Sequence, residues 1–144
     1  MSYKLTGKRI AVLCLFSVVG LQTARADCNS PAAPGVDWQG CNKQHADLSG
    51  ADLSGANLQG ADLKFVKAGG ADFSNADLSS VSFLGADLEG ANFNKANMNG
   101  VFLTKARIAG ATFEGTTLDN AIWNNGQRCL AESVSGCNGQ PATR

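Results

Sequence analysis

From Ala46 to Asn125 apolar and polar residues alternate in uninterrupted blocks of five, opening Ala46-Asp47-Leu48-Ser49-Gly50 and Ala51-Asp52-Leu53-Ser54-Gly55. Sixteen blocks fit in register, and the third position is large and apolar in every block except the one that holds Ala68. The first position is Ala, Val or, once, Thr116, and neither position ever carries a charge. On an α-helix this period would step the large residues about 140° around the axis and spread them over every face. On a continuous strand an odd period would send alternate ones to opposite sides of the sheet. The first and third positions share one side only if each block holds a three-residue extended segment followed by a two-residue corner. The corner positions are rich in Ser, Asn, Gln and Gly, which suit tight turns. The chain is therefore expected to wind around an axis, with the first and third residues pointing inward and the second, fourth and fifth pointing outward or into the bend.

The tandem blocks A-(D/N)-(L/F)-x-(G/x) closely resemble the pentapeptide repeat family. That resemblance implies an all-β fold, a right-handed quadrilateral β-helix with four blocks per coil and about 4 to 4.5 coils in all. Four coils at the spacing of neighbouring strands make a rod roughly 20 Å tall. Val36-Asp37-Trp38-Gln39-Gly40 obeys the register upstream. Cys41-Asn42-Lys43-Gln44-His45 is in phase but has Lys43 where a Leu belongs, so residues 27–45 are read as an N-terminal cap with degenerate first repeats. The long cation of Lys43 is expected to reach solvent at an end layer. Twenty residues make one coil, which stacks Phe73, Phe93 and Phe113 above Leu53 as an interior aromatic ladder.

Residues 1–26 lie outside the period. Lys4, Lys8 and Arg9 precede an apolar run from Ile10 to Leu21, and Ala24-Arg25-Ala26 ends in the small residues of a signal-peptidase site. The run is too short to span a bilayer as a helix, so cleavage is expected before Asp27, followed by export to the periplasm or medium without a remaining membrane anchor. The full chain has 12 basic and 12 acidic side chains. Export removes four cations and no acids, which leaves the product at net −4 and argues against a nucleic-acid partner.

Four cysteines remain after export. Cys28 and Cys41 precede the rod while Cys129 and Cys137 follow it, and a disulfide needs Cα atoms within about 7 Å. Local bridges, 28 to 41 and 129 to 137, are expected to close the two ends, the second within the tail 126–144.

Candidate chemistry is sparse. Asp47, Lys67, Asp87 and Arg107 alternate in sign at one-coil spacing and read as a ladder of exposed ion pairs. Asp52 and Asp72 fall at a spacing that could serve acid/base hydrolysis of a polysaccharide, but the repeat itself produces that spacing and nothing nearby would desolvate either carboxyl. His45, the only histidine, stands at a corner, so no catalytic, cofactor or metal site is assigned. Leu84, Phe102 and Ile122 form an outward apolar column and are the possible interaction patch. Two covers are open for it: the tail 126–144 folded back over the column, or a homodimer or other protein partner. The leading expectation is an exported, non-enzymatic, rigid binding or scaffold module. The resemblance also suggests a DNA-mimicking inhibitor of a type II topoisomerase, and an exported polysaccharide hydrolase is the third class.

Overall fold

The computed structural model describes residues 26–130 and 133–137. Each block contributes one bridging residue, its second, and the bridges run parallel between positions twenty apart, from Asp37 with Asn57 to Phe102 with Ile122. A separation of twenty means four blocks per turn, so the rod has four sides. Side 1 carries blocks 51–55, 71–75, 91–95 and 111–115. Side 2 follows with 56–60 and its successors, side 3 with 61–65, 81–85, 101–105 and 121–125, and side 4 with 66–70, 86–90 and 106–110. Blocks 36–40, 41–45 and 46–50 lie one coil below on sides 2, 3 and 4.

The corner is a tight turn. The carbonyl of each third residue accepts a hydrogen bond from the N–H of the next block's first residue, as from Ala51 to Leu48 (3.0 Å) and from Ala56 to Leu53 (3.1 Å). The fifth residue has φ between 55° and 70° in every block from 41–45 to 116–120, whereas no fourth residue has positive φ. That combination defines a type II turn, which explains why Gly fills most fifth positions.

The second position is Asp or Asn in eleven of the blocks from 36–40 to 96–100 for a local reason. Its side-chain oxygen accepts the backbone N–H two residues on, as in Asp52 from Ser54 (3.0 Å), Asp72 from Ser74 (2.8 Å) and Asn92 from Asn94 (3.0 Å). This fourth-residue N–H takes no backbone acceptor, so the side chain completes the turn. Where Thr112 and Thr117 replace the Asx residue, Asn94 and Asn99 of the coil below accept from the N–H of Glu114 (2.8 Å) and Asp119 (2.9 Å) instead.

The interior follows the register. Leu53, Leu58, Leu63, Phe73, Leu78, Phe83, Leu88, Phe93, Met98, Leu103 and Leu118 are fully buried, with small first-position residues between them. Phe93 stacks on Phe73 (5.2 Å between centroids, 2° between planes) and on Phe113 (5.2 Å, 10°), and Phe83 meets Phe73 and Phe93 edge to face. Thr116, the polar exception at a first position, is buried and donates its hydroxyl to the Phe93 carbonyl (2.6 Å).

The rod begins earlier than the sequence suggests. Ala33 and Gly35 occupy third and fifth positions, the Val36 N–H closes the same turn onto Ala33, and Gly35 donates up to the Ser54 carbonyl. The first coil is thus nearly complete, and residues 27–45 are mostly solenoid rather than cap. Below it, Asp27 donates to the Asp37 carbonyl and the indole of Trp38 donates to the Ser30 carbonyl (3.1 Å). Lys43 does not simply extend into water: its ammonium sits 3.8 Å from the Trp38 ring centre, where the π face attracts a cation. Cys28 is bridged to Cys41 (Cα–Cα 5.5 Å) and Cys129 to Cys137 (4.9 Å).

The described part of the segment after Asn125, residues 126–130 and 133–137, pairs along the last coil. Arg128 pairs antiparallel with Ile122 and Val134 with Thr117, with Cys129 donating to Ala121 and Leu118 to Ser133. The last coil has a row of unpaired backbone groups, and these take the tail because an open strand edge gains more from hydrogen bonds than a side wall does.

Candidate functional site

The four sides differ in chemistry. Among the charged residues of blocks 36–40 to 121–125, side 1 holds Asp52, Asp72, Glu114 and Lys95, net −2. Side 2 holds Asp37, Asp77 and Asp119, net −3, and side 4 holds three acids with Lys67 and Arg107, net −1. Side 3 has Lys43, Lys64 and Lys105 against Asp62 alone, net +2.

Side 3 is also the apolar side. Phe102 is 48% exposed in a position where Asx residues are the rule, with Leu84 half-buried beside it. The two line a groove of about 440 Å³ whose walls include Asp62, Lys64, Ser80, Ser82 and Thr104. Ile122 belongs to the same column but is half-buried next to Arg128, so the described part of the tail reaches this member of the predicted patch. Leu84 and Phe102 are not covered by the described part of the tail, and the rest of the fold-back expectation falls on residues 131–132 and 138–144, outside the described residues.

Phe65 is a fourth member that the pattern of the sequence did not single out. It is 48% exposed, at a fifth position with φ 55°, a conformation costly for a bulky side chain. Its ring stacks on His45 (5.2 Å, 13°) and lies over Gly85, where an added Cβ would fall 2.7 Å from the ring edge. An aromatic among Gly, Ser and Asn corners was the available signal. His45 itself is an exposed corner residue, as expected.

At the lower end of the groove the Asp62 carboxylate accepts from Lys64 Nζ (3.0 Å), from the Lys64 N–H (3.2 Å) and from Gln44 Nε2 (2.7 Å). Burial works to raise its pKa, and the Lys64 and Gln44 hydrogen bonds outweigh that and hold it below the ordinary carboxylate range.

The ion-pair ladder on side 4 is only partly made. Arg107 reaches Asp87 (3.2 Å) and Glu89 (2.6 Å), but Lys67 makes no ion pair among the described residues. The Asp47 carboxylate turns instead along its own block to the Ser49 hydroxyl and N–H, and these bonds lower its pKa. On side 1, Asp52 and Asp72 do stand on adjacent coils. The Ser54 side chain and N–H depress the Asp52 pKa, which is the reverse of what a general acid needs. No cluster of three or more metal-type ligands occurs among the described residues, and no helix there is long and apolar enough to cross a membrane.

A filled core, Asx-closed type II corners and a twenty-residue coil define a solenoid of five-residue repeats. The chain belongs to the family described as pentapeptide repeats, whose profile matches in eight copies over residues 34–64, 56–94 and 86–122. Its fold is the right-handed quadrilateral β-helix of that family. Among solved structures it is similar to the pentapeptide repeat protein Rfr23 of the cyanobacterium Cyanothece 51142, at 33% identity over 63% of this chain and 66% of that one, TM-score 0.42. A pentapeptide repeat protein of the Arabidopsis thaliana thylakoid lumen matches at 28% identity, 58% and 62% coverage, TM-score 0.37. QnrB1, a plasmid-mediated fluoroquinolone resistance protein, matches at 28%, 61% and 47%, TM-score 0.39. The chain spans less than two thirds of the length of each. No curated protein matches it.

Proposed function

We propose that the chain is an exported, non-enzymatic binding module, a rigid rod closed by its two disulfides that engages a protein partner through side 3. One observation carries this reading: a solenoid whose other sides are polar presents a groove lined by half-exposed Phe102 and by Leu84, with half-exposed Phe65 at the corner of the same side. Exposed aromatic surface of this kind marks interaction sites. The interior supports a scaffold rather than a catalyst, since Leu, Phe and small residues fill it.

A photo-reactive amino acid placed at Phe102, and separately at Asn97 on side 2, tests the surface in intact cells. Adducts to a protein from the first position and not the second are expected. Absence of adducts from both, or equal yields, refutes the reading. Export rests on the leader pattern in residues 1–26, and N-terminal sequencing of the extracytoplasmic product should begin at Asp27.

A second reading draws on the acidic sides 1 and 2, at net −2 and −3. They suit mimicry of duplex DNA and hence inhibition of a type II topoisomerase, and QnrB1 is a fluoroquinolone resistance protein. DNA carries one charge per about 1.7 Å of axis, much denser than these sides. Inhibition of supercoiling by the purified protein would establish it.

A further inference from the structure

The Asx rule fails on side 3 at three consecutive coils, those of Ser82, Phe102 and Ile122, and there it leaves donors free. Ser82 and Phe102 stand where Asp or Asn would accept the N–H two residues on, and the N–H groups of Leu84 and Thr104 donate to no acceptor among the described residues. Both residues line the groove. Lys64, whose one bonded partner is Asp62, stands in the wall below them. Gly69 and Ala109 on side 4 and Asn124 at the top of side 3 also lack an acceptor among the described residues, but none of the three lines the groove. Side 3 alone combines free backbone N–H groups, a cationic balance and apolar side chains.

We propose that side 3 docks a segment of a partner protein in which Asp or Glu residues adjoin a Leu- or Phe-type anchor. The partner's carboxylates accept from the Leu84 and Thr104 N–H groups, supplying from outside the acceptor that the other blocks carry within themselves. Charge-assisted bonds from backbone N–H to carboxylate are among the stronger ones. Lys64 and Lys105 add attraction at the lower and upper ends, and the apolar anchor lies against Phe102, Leu84 and the Phe65 ring. The charge complementarity is specific to this side, since an acidic segment would be repelled by the other three.

A second copy of this chain is a poorer occupant. Side 3 is about 20 Å tall and 10 Å wide, so two copies would bury a few hundred Å², against the roughly 1,200 Å² of a stable interface. Each copy would also bring its excess of lysines to the other.

The inference deepens the binding-module reading and rests on it. Panning a displayed random heptapeptide library on the purified full chain should enrich sequences that combine acidic residues with Leu or Phe. A fluorescein-labelled enriched peptide should then lose at least tenfold in affinity with Phe102→Ser and with the double variant Lys64→Glu, Lys105→Glu. The decisive variant is Ser82→Asp. It restores the block's own acceptor for the Leu84 N–H and should weaken the peptide at least tenfold while leaving the thermal transition as high as, or higher than, that of the parent. Unchanged affinity in Ser82→Asp overturns the proposal, as does enrichment of basic or uncharged peptides. Binding to phosphatidylglycerol vesicles without peptide enrichment, or a dimer in sedimentation that Phe102→Ser dissolves, also overturns it. Crosslinks from Phe102 to a partner segment lacking acids would sink this inference and leave the binding-module reading standing, whereas absence of crosslinks removes the latter.

Discussion

Phe93 and Phe102 lie nine residues apart within one twenty-residue coil, and truncating each to Ala tests the inward and outward register. Phe93 is fully buried, stacked between Phe73 and Phe113 and edge-on to Phe83. A buried Phe→Ala change costs about 3–5 kcal/mol through lost transfer energy and the cavity left behind. Three aromatic neighbours lose their partner as well, at about 0.5–1.5 kcal/mol for each such pair, and the rigid coils above and below cannot collapse into the gap. The cost should therefore fall near the top of the range. Phe102 removes only part of its surface from water and has no aromatic partner among the described residues, so its truncation should cost about 1 kcal/mol or less. Equilibrium urea unfolding followed by far-ultraviolet circular dichroism measures both, with the m value checked for constancy because repeat arrays can lose cooperativity. Equal destabilisation by the two variants would refute the inward and outward assignment of third and second positions.

Three other expectations follow from local geometry. Gly85→Ala pushes a Cβ into the Phe65 ring at 2.7 Å and strains a φ of +65°, so it should lower stability by about 1–2 kcal/mol, and Phe65→Gly in the same background should recover most of the loss in thermal melts. Asp77→Ala removes an acceptor used by the Ser79 N–H (3.0 Å), the Ser79 hydroxyl (2.7 Å) and Asn97 Nδ2 (3.2 Å), and should cost about 1–2 kcal/mol in urea unfolding, with Asp77→Asn retaining part of it. The carboxyls of Asp27, Asp47, Asp52 and Asp62 are all depressed in the fold, so their stabilisation is fully present above the unfolded value near 3.9 and is lost as pH falls through the lower folded values. The thermal midpoint should thus hold level from pH 7 to about pH 5 and drop below about pH 4, and a decline starting above pH 6 would contradict that assignment.

What could be read from the chain and what could not divide along a physical line. Burial depends on alternation within one block, so the inward positions, the Phe73–Phe93–Phe113 stack and the four-sided coil are already visible in the order of residues. Contacts between coils depend on residues twenty apart whose side chains have freedom outside the rod. Phe65 stands out as an aromatic corner, but its place over Gly85 and against His45 depends on both neighbouring coils. In block 31–35, Pro31 and Pro34 mask the five-residue pattern of a corner that Ala33 and Gly35 nonetheless form.

The same distinction alters the meaning of the second-position charges. Read as a column, Asp47, Lys67, Asp87 and Arg107 suggest pairing up the rod, yet each Asp first serves the N–H of its own turn, and only Arg107 spans the gap to a neighbour. Asp and Asn recur because an uncapped turn would leave a donor exposed on every side of every coil. Departures from Asx therefore carry more information than the Asx residues do. Thr112 and Thr117 are compensated from below by Asn94 and Asn99, which preserves the turn. Lys67, Ser82, Phe102, Arg107 and Ile122 are not compensated among the described residues, and of these Ser82 and Phe102 coincide with the groove and with Lys64 in its wall. In a repeat this regular, the two blocks that relinquish their internal acceptor at the groove mark where the rod has been shaped for something other than its own stability.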